Sequence, residues 1–274
     1  MGISYRYLCN LGKQERPMIN KEAIIDTLKD AAEKILNVYY SRSPDVRLKG
    51  DGSPVTLADT SSNDVIRGRL SALTPGIPVI SEEDSVIPYS ERKRFNAVWI
   101  LDPLDGTREF VSHNGEFCIC LALVRDRRPV AGFILAPVTG DLWYAFEGKG
   151  SFHEKDRVIT RLPLEAPPST PVVLVSRSHH NSAEREWIEK YVARTGAGVL
   201  TLGSALKFCR LAEGRATVYP KFGAINEWDV AAGDIILKEA GGSITETVSG
   251  KEPVYNKESL VQPYFVARSK GYTI

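Results

Sequence analysis

Three apolar runs, AVWIL at 97–101, CICLALV at 118–124 and VAGFILAPV at 130–138, set the first constraint on this chain. Each is too uniformly hydrophobic for a strand with one wet face, so the pattern predicts buried strands covered on both sides. PVI at 78–80 reads as a shorter neighbour. The segment RDRRP, 125–129, predicts a hairpin between the second and third runs, and DLWYAFEG, 141–148, predicts another antiparallel strand after a turn at Thr139 and Gly140.

Helical periodicity supplies the covering elements. Ile24, Ile25, Leu28, Ala31, Ala32, Ile35, Leu36 and Tyr39 fall on one face, with Asn20 as N-cap. A second helix is expected from Ala58 to Leu73, using Val65, Ile66, Leu70 and Leu73. The Pro-rich stretch LPLEAPPSTP, 162–171, reads as a linker. Beyond it VVLVSRS, a helix from Ser182 to Thr195, VLTL, a helix through SALKFCRLAEG, ATVYPKF and a helix through EWDVAAGDIILKEAGG alternate strand with helix. The expected organisation is α/β: a weakly structured extension at 1–18, a first lobe at 19–161, the linker, and a second lobe at 172–274.

Charge excludes some partners. The 274 residues hold 35 basic and 34 acidic side chains, a net charge of +1, with no long single-sign block. Binding to nucleic acid or membrane through bulk charge is therefore unsupported. Cys9, Cys118, Cys120 and Cys209 follow neither a zinc spacing nor a disulfide framework, and read as buried reduced thiols suited to the cytoplasm. The first residues lack the apolar stretch of a signal peptide, and Arg6 stands where a myristoylation signal wants Ser or Thr. Trp99, Trp143 and Trp187 read as packing aromatics, and Trp228 as a support for Asp229 beside it.

The first of those apolar runs continues as ILDPLDGTREF, 100–110, and so carries Asp102 and Asp105 to a sheet edge. Glu82 and Glu83 follow another strand, and Asp229 opens a helix. Singly, each has an ordinary reading as a turn, a solvated loop or a helix-start acid. If they converge, carboxylates about 5 Å apart repel by about 3 kcal/mol per pair, or about 20 kcal/mol over a set of about four. Such a set must protonate or hold dications, and oxygen donors without histidine or thiolate point to Mg²⁺. Two or three such ions carry surplus positive charge, which a phosphate dianion would match.

SEED at 81–84, WILDPLDGTREF at 99–110 and EWDVAAG at 227–233 resemble, in this order, the signatures of the inositol monophosphatase superfamily of Mg²⁺-dependent, lithium-sensitive phosphatases. GSPVTLAD at 52–59, NGEF at 114–117, LAPVTGDLWYAFEGKG at 135–150, VSRSH at 175–179 and GSALKFCRLAEGRATVYPKFG at 203–223 extend the resemblance over nearly all of 20–268. The later segments look like the bacterial 3′(2′),5′-bisphosphate nucleotidase branch.

The resemblance implies a sugar-phosphatase fold of alternating αβαβα layers with a metal cleft between the lobes. It implies metal ligation by Glu82, Asp102, Asp105, Asp229 and the carbonyl of Leu104, and an outer role for Glu83 in positioning water. It gives Thr107, paired with Asp59, the task of orienting the attacking water, while the Gly106 and Thr107 amides bind phosphate. His179, Ser204, Lys207 and Lys221 are nominated for nucleotide binding, with Ser204 and Lys207 placed on one helix face. Two departures stand out: Lys221 where relatives often carry arginine, which removes a bidentate fork, and Ala205 where bacterial relatives commonly show a second serine.

The implied reaction is in-line hydrolysis of the 3′-phosphate of adenosine 3′,5′-bisphosphate without a covalent enzyme intermediate, recycling a by-product of sulfate activation and sulfotransfer, with activity on the sulfated form also open. The alternatives are an inositol- or fructose-phosphate phosphatase using the same metals, and a non-catalytic phosphate- or nucleotide-binding subunit. The expected partner is the small-molecule substrate, with no nucleic acid and no transmembrane segment. A monomer or homodimer in the cytoplasm is expected, with peripheral association at the inner membrane left open.

Overall fold

A computed structural model describes residues 19–41, 46–48, 54–178 and 181–273. The segment 1–18, with Cys9, and the nominated His179 lie outside the described residues.

Helix α1 (Lys21–Tyr39) starts where Asn20 Oδ1 accepts the Ala23 amide at 3.1 Å. Strands β1 (Val46–Leu48) and β2 (Pro54–Thr56) form a small antiparallel ribbon that leads into α2 (Leu57–Leu73). A large sheet follows, made of β3 (Val79–Ser81), β4 (Ala97–Asp105), β5 (Cys118–Arg125), β6 (Arg128–Leu135), β7 (Leu142–Phe146), β8 (Gly150–Lys155) and β9 (Val158–Arg161) in sequential order. Within it β3 and β4 pair in parallel and the other neighbours are antiparallel. Short helices α3 (Tyr89–Arg92) and α4 (Thr107–Val111) flank β4.

The second sheet comprises β10 (Val172–Ser176), β11 (Gly198–Leu202), β12 (Val218–Lys221), β13 (Ser243–Glu246) and β14 (Phe265–Arg268), ordered β11-β10-β12-β14-β13. Its helices are α5 (Ser182–Thr195), α6 (Leu206–Glu213) and α7 (Glu227–Glu239).

Strand alternation sorts the core into layers. Trp99, Leu101, Ile119, Leu121, Phe133 and Tyr144 pack beneath α1 and α2. The intervening residues Val98, Ile100, Cys120, Ala122, Ile134 and Trp143 pack on α6 and α7, whose far side meets Leu174, Tyr219, Phe265 and Ala267 of the second sheet. Val173, Val218 and Val266 on that sheet's outer face meet Tyr191 of α5. The order is therefore αβαβα, with α7 wedged between the two sheets.

Several elements were not legible as patterns. β8 and β9 run out to the sheet edge, where all of VITR is exposed, and β13 and β14 are short strands completed only by pairing with each other and with β12. The Pro-rich crossing between the sheets is packed rather than free: Leu162 is buried, and the Leu164 and Glu165 amides both donate to the Glu213 carbonyl. Helix α6 begins at Leu206, so Ser204 lies before it with φ +50°, off the face shared with Lys207.

The wedge depends on glycine at one crossing. A Cβ on Gly132 of β6 would stand 2.4 Å from Ile235 Cγ2 and 2.8 Å from the Ala232 carbonyl oxygen of α7. Backbone cannot yield cheaply there, so Gly132→Ala is expected to destabilise the chain by about 1–3 kcal/mol. Gly68 of α2 is exposed with nothing within 4 Å of such a Cβ. Gly68→Ala is expected to stabilise by about 1 kcal/mol through helix propensity. Urea midpoints of the two variants, moving in opposite directions, check both.

Candidate active site

The acids meet because β4 is irregular at its end. In a regular strand Asp102 and Asp105, three residues apart, would face opposite sides. Here Asp102 pairs with Cys120 and Asp105 with Cys118, so three steps on β4 oppose two on β5. The extra residue is a β-bulge that returns both carboxylates to the side of α6 and α7. Its backbone groups are satisfied: Asp102 Oδ1 accepts the Leu104 amide at 3.0 Å, and Ser62 of α2 donates to the Pro103 carbonyl at 2.8 Å.

Parallel pairing brings in Glu82. Its amide donates to Leu101 O at 3.1 Å, extending the β3–β4 ladder by one residue and setting Glu82 beside Asp102. Asp229 arrives from the first turn of α7, where one of its oxygens caps the Asn226 amide at 2.8 Å. One carboxylate oxygen from each of Glu82, Asp102 and Asp229 falls within 4.8 Å of the other two.

These three residues, Leu104, Asp105, Gly106 and Thr107 line a cavity of about 250 Å³ between the sheets. Ser204, Lys207 and Lys221 line it as well, so most of the nominated residues converge. Glu83, whose amide donates to Ser81 Oγ at 3.4 Å, and Asp59 are not among the lining residues. Asp59 acts from behind: its Oδ2 accepts both the Thr56 amide and hydroxyl at 2.7 Å, and its Oδ1 accepts the Thr107 hydroxyl at 3.2 Å.

Gly106 adopts φ +94°, and a Cβ on it would press on the Glu116 carbonyl and Ser204 Cβ at 3.2 Å. Lys207 is buried, and its ammonium donates to Ser204 O at 2.6 Å and Leu202 O at 3.3 Å. It thus holds the turn that carries the Ala205 amide, which donates to Asp105 Oδ2.

Glu116 was missed as a site residue although it lies in the noted NGEF segment. It forms a bidentate pair with Arg177 at 2.6 and 2.7 Å and accepts the Gly203 amide at 2.7 Å, tying the two sheets together beside the cavity. Arg108 and Trp228 also line the cavity. An isolated arginine next to a threonine carries no pattern that marks it beforehand.

Electrostatics reflect the crowding. Burial first, then the charges of Glu82, Asp105 and Asp229, hold the Asp102 carboxyl well above the usual carboxylate range. Burial followed by the Asp105 and Glu82 charges pushes Asp229 up to about 8. Burial raises Asp105 to about 6 against the opposing pull of Lys207 and the Ala205 amide. Burial likewise raises Asp59.

An αβαβα chain with an acidic oxygen cluster at the mouth of a bulged strand defines a metal-dependent phosphatase of the layered sugar-phosphatase class. The chain belongs to the inositol monophosphatase family, whose sequence pattern matches residues 20–269. A 3′(2′),5′-bisphosphate nucleotidase CysQ of Escherichia coli O6:H1 is 38% identical over 247 residues, covering 89% of this chain and 97% of that protein. The crystal structure of CysQ from Bacteroides thetaiotaomicron superposes with a TM-score of 0.82 at 34% identity, covering 92% of this chain and 97% of the other. A Thermotoga maritima IMPase gives 0.73 at 28% identity, covering 89% of each chain.

The raised carboxyls carry a sign. Folded-state values above the unfolded ones mean that protons stabilise the metal-free fold. The stability contributed by protonated Asp105 and Asp229 is fully present below about pH 4 and is lost as pH rises through about 6 and about 8. In a chelator, the contribution of these groups to the melting temperature is therefore expected to fall between about pH 4 and about pH 8, and Asp229→Asn to flatten that fall. Adding a divalent cation should abolish it; scanning calorimetry across that range is the check.

Proposed function

We propose that this chain is a Mg²⁺-dependent 3′(2′),5′-bisphosphate nucleotidase that hydrolyses adenosine 3′,5′-bisphosphate to AMP and phosphate. The observation that carries the reading is the gathering of Glu82, Asp102 and Asp229 in a cavity that also presents Lys221 and Arg108. Nucleotidases named CysQ, 32–38% identical over most of this chain, support the substrate class.

The donor set fits a hard dication: carboxylates of Glu82, Asp102, Asp105 and Asp229 and the Leu104 carbonyl, all oxygen. These residues would hold two or three Mg²⁺ ions, which when bound neutralise the phosphate and lower the pKa of water. Thr107 donates its hydroxyl hydrogen to Asp59, which leaves the oxygen's lone pairs to orient water for in-line attack. Asp59, its proton affinity raised by burial, takes up the proton that passes through Thr107. The departing ribose oxygen regains a proton from solvent. Glu83, outside the cavity lining, keeps an outer role in positioning water.

Substrate selection falls to the second sheet. Buried Lys221 offers a point charge to the phosphate that is not cleaved, and Ser204 a hydroxyl. Lys207, buried in the same lining, adds a second positive charge and also holds the turn that carries Ser204.

Phosphate release from adenosine 3′,5′-bisphosphate is expected to exceed that from inositol 1-phosphate and fructose 1,6-bisphosphate in Mg²⁺, and a polyol preference would overturn the nucleotide assignment. Asp102→Asn is expected to abolish turnover with circular dichroism unchanged; retained activity would sink the metal-site assignment. Lys221→Ala is expected to raise KM for the nucleotide about tenfold, the loss of one charge-assisted contact, with kcat little changed. Steady-state kinetics read both parameters.

A further inference from the structure

Behind the acidic wall of the cavity lies a second donor cluster of different chemistry. Cys118 and Cys120 alternate with Ile119 on β5 and so point to the same side, both buried, with their sulfurs 3.7 Å apart. Asp105 stands opposite Cys118 across the bulge, its Oδ2 3.9 Å from that sulfur. Donor atoms of Asp105, Cys118 and Cys120 all lie within 4.8 Å of one another. Ser204 Oγ is 3.5 Å from Cys118 Sγ.

A tetrahedral zinc ion with sulfurs at about 2.3 Å has a sulfur–sulfur edge of about 3.8 Å. The two cysteines already span that edge, and oxygens of Asp105 and Ser204 lie 3.9 and 3.5 Å from Cys118 Sγ. Sulfur donors select thiophilic or borderline cations over Mg²⁺, which the oxygen set in front prefers. Asp105 and Ser204 both line the cavity, so an ion enters from there without crossing the core.

We propose that Asp105, Cys118 and Cys120 form a distinct site for a thiophilic dication of the zinc or cadmium class, with Ser204 Oγ or water as the remaining donor. As the two metal–sulfur bonds form, the two thiol protons leave to solvent, so no oxidant is involved. The ion engages Asp105 and withdraws it from the oxygen cluster. Occupancy therefore inhibits phosphate release, a consequence that rests on the role assigned to Asp105 above, whereas the binding itself does not.

Cadmium, titrated into the reduced full-length chain, tests both parts. A Cys9→Ala, Cys209→Ala background removes the other two thiols of the sequence. One equivalent of Cd²⁺ is expected to produce the ultraviolet thiolate-to-cadmium charge-transfer band. Adding Cys118→Ala or Cys120→Ala to that background should weaken Cd²⁺ binding by more than about tenfold. Phosphate release should fall in step with the band, resist excess Mg²⁺ and return with a chelator. No band at one equivalent, or a band that survives both alanine variants, overturns the site. A cysteine-dependent band with undiminished phosphate release overturns the sharing of Asp105. A chain that hydrolyses none of the phosphate esters overturns the proposed function instead, and the absorption titration still decides the metal site.

Discussion

Mutual repulsion among the carboxylates facing one cavity is the constraint around which the rest of this structure is organised. Asp102 is buried, and Glu82, Asp105 and Asp229 are half-buried. Burial and mutual charge outweigh the few hydrogen bonds these groups make, as the raised proton affinities of Asp102, Asp105 and Asp229 register. The scaffold must hold these groups together against their charges, and it does so with rigid elements: the end of a central strand, its parallel neighbour and the first turn of the helix wedged between the sheets.

Rigidity comes from backbone groups that are individually satisfied. The bulge at Pro103 and Leu104 is fixed from one side by Ser62 and from within by Asp102. The turn before α6 is fixed by Lys207, whose ammonium binds carbonyls, and by the Glu116–Arg177 pair, which bridges the sheets. Charged side chains thus serve two ends here, some lining the cavity and others acting as internal braces. The lysine at 207 lines the cavity together with that at 221, and it also braces the turn through the Leu202 and Ser204 carbonyls.

The same bulge that aims the carboxylates also lays Asp105 against the two thiols of β5. Hard and soft donors therefore share one side chain. The oxygen donors of the cavity stand directly in front of a pair of sulfurs, and Asp105 lies within reach of both groups.

Much was readable in order along the chain. The uniform apolar runs required a sheet covered on both faces, the helical stripes supplied the covers, and the motifs around Glu82, Asp102 and Asp229 marked the acids. These are local properties, set by side-chain periodicity and by residue chemistry. The edge strands β8, β9, β13 and β14 were not readable, because their short mixed segments gain strand form only from a partner. Nor was the left-handed turn at Ser204, which takes that residue off the helix face. Above all, the sequence by itself set which residues are acidic and that they follow buried strands. Only the tertiary structure decided that Asp102 and Asp105 face the same way and meet Asp229, 124 residues further on from Asp105, because a one-residue bulge is fixed by cross-strand register and helix packing.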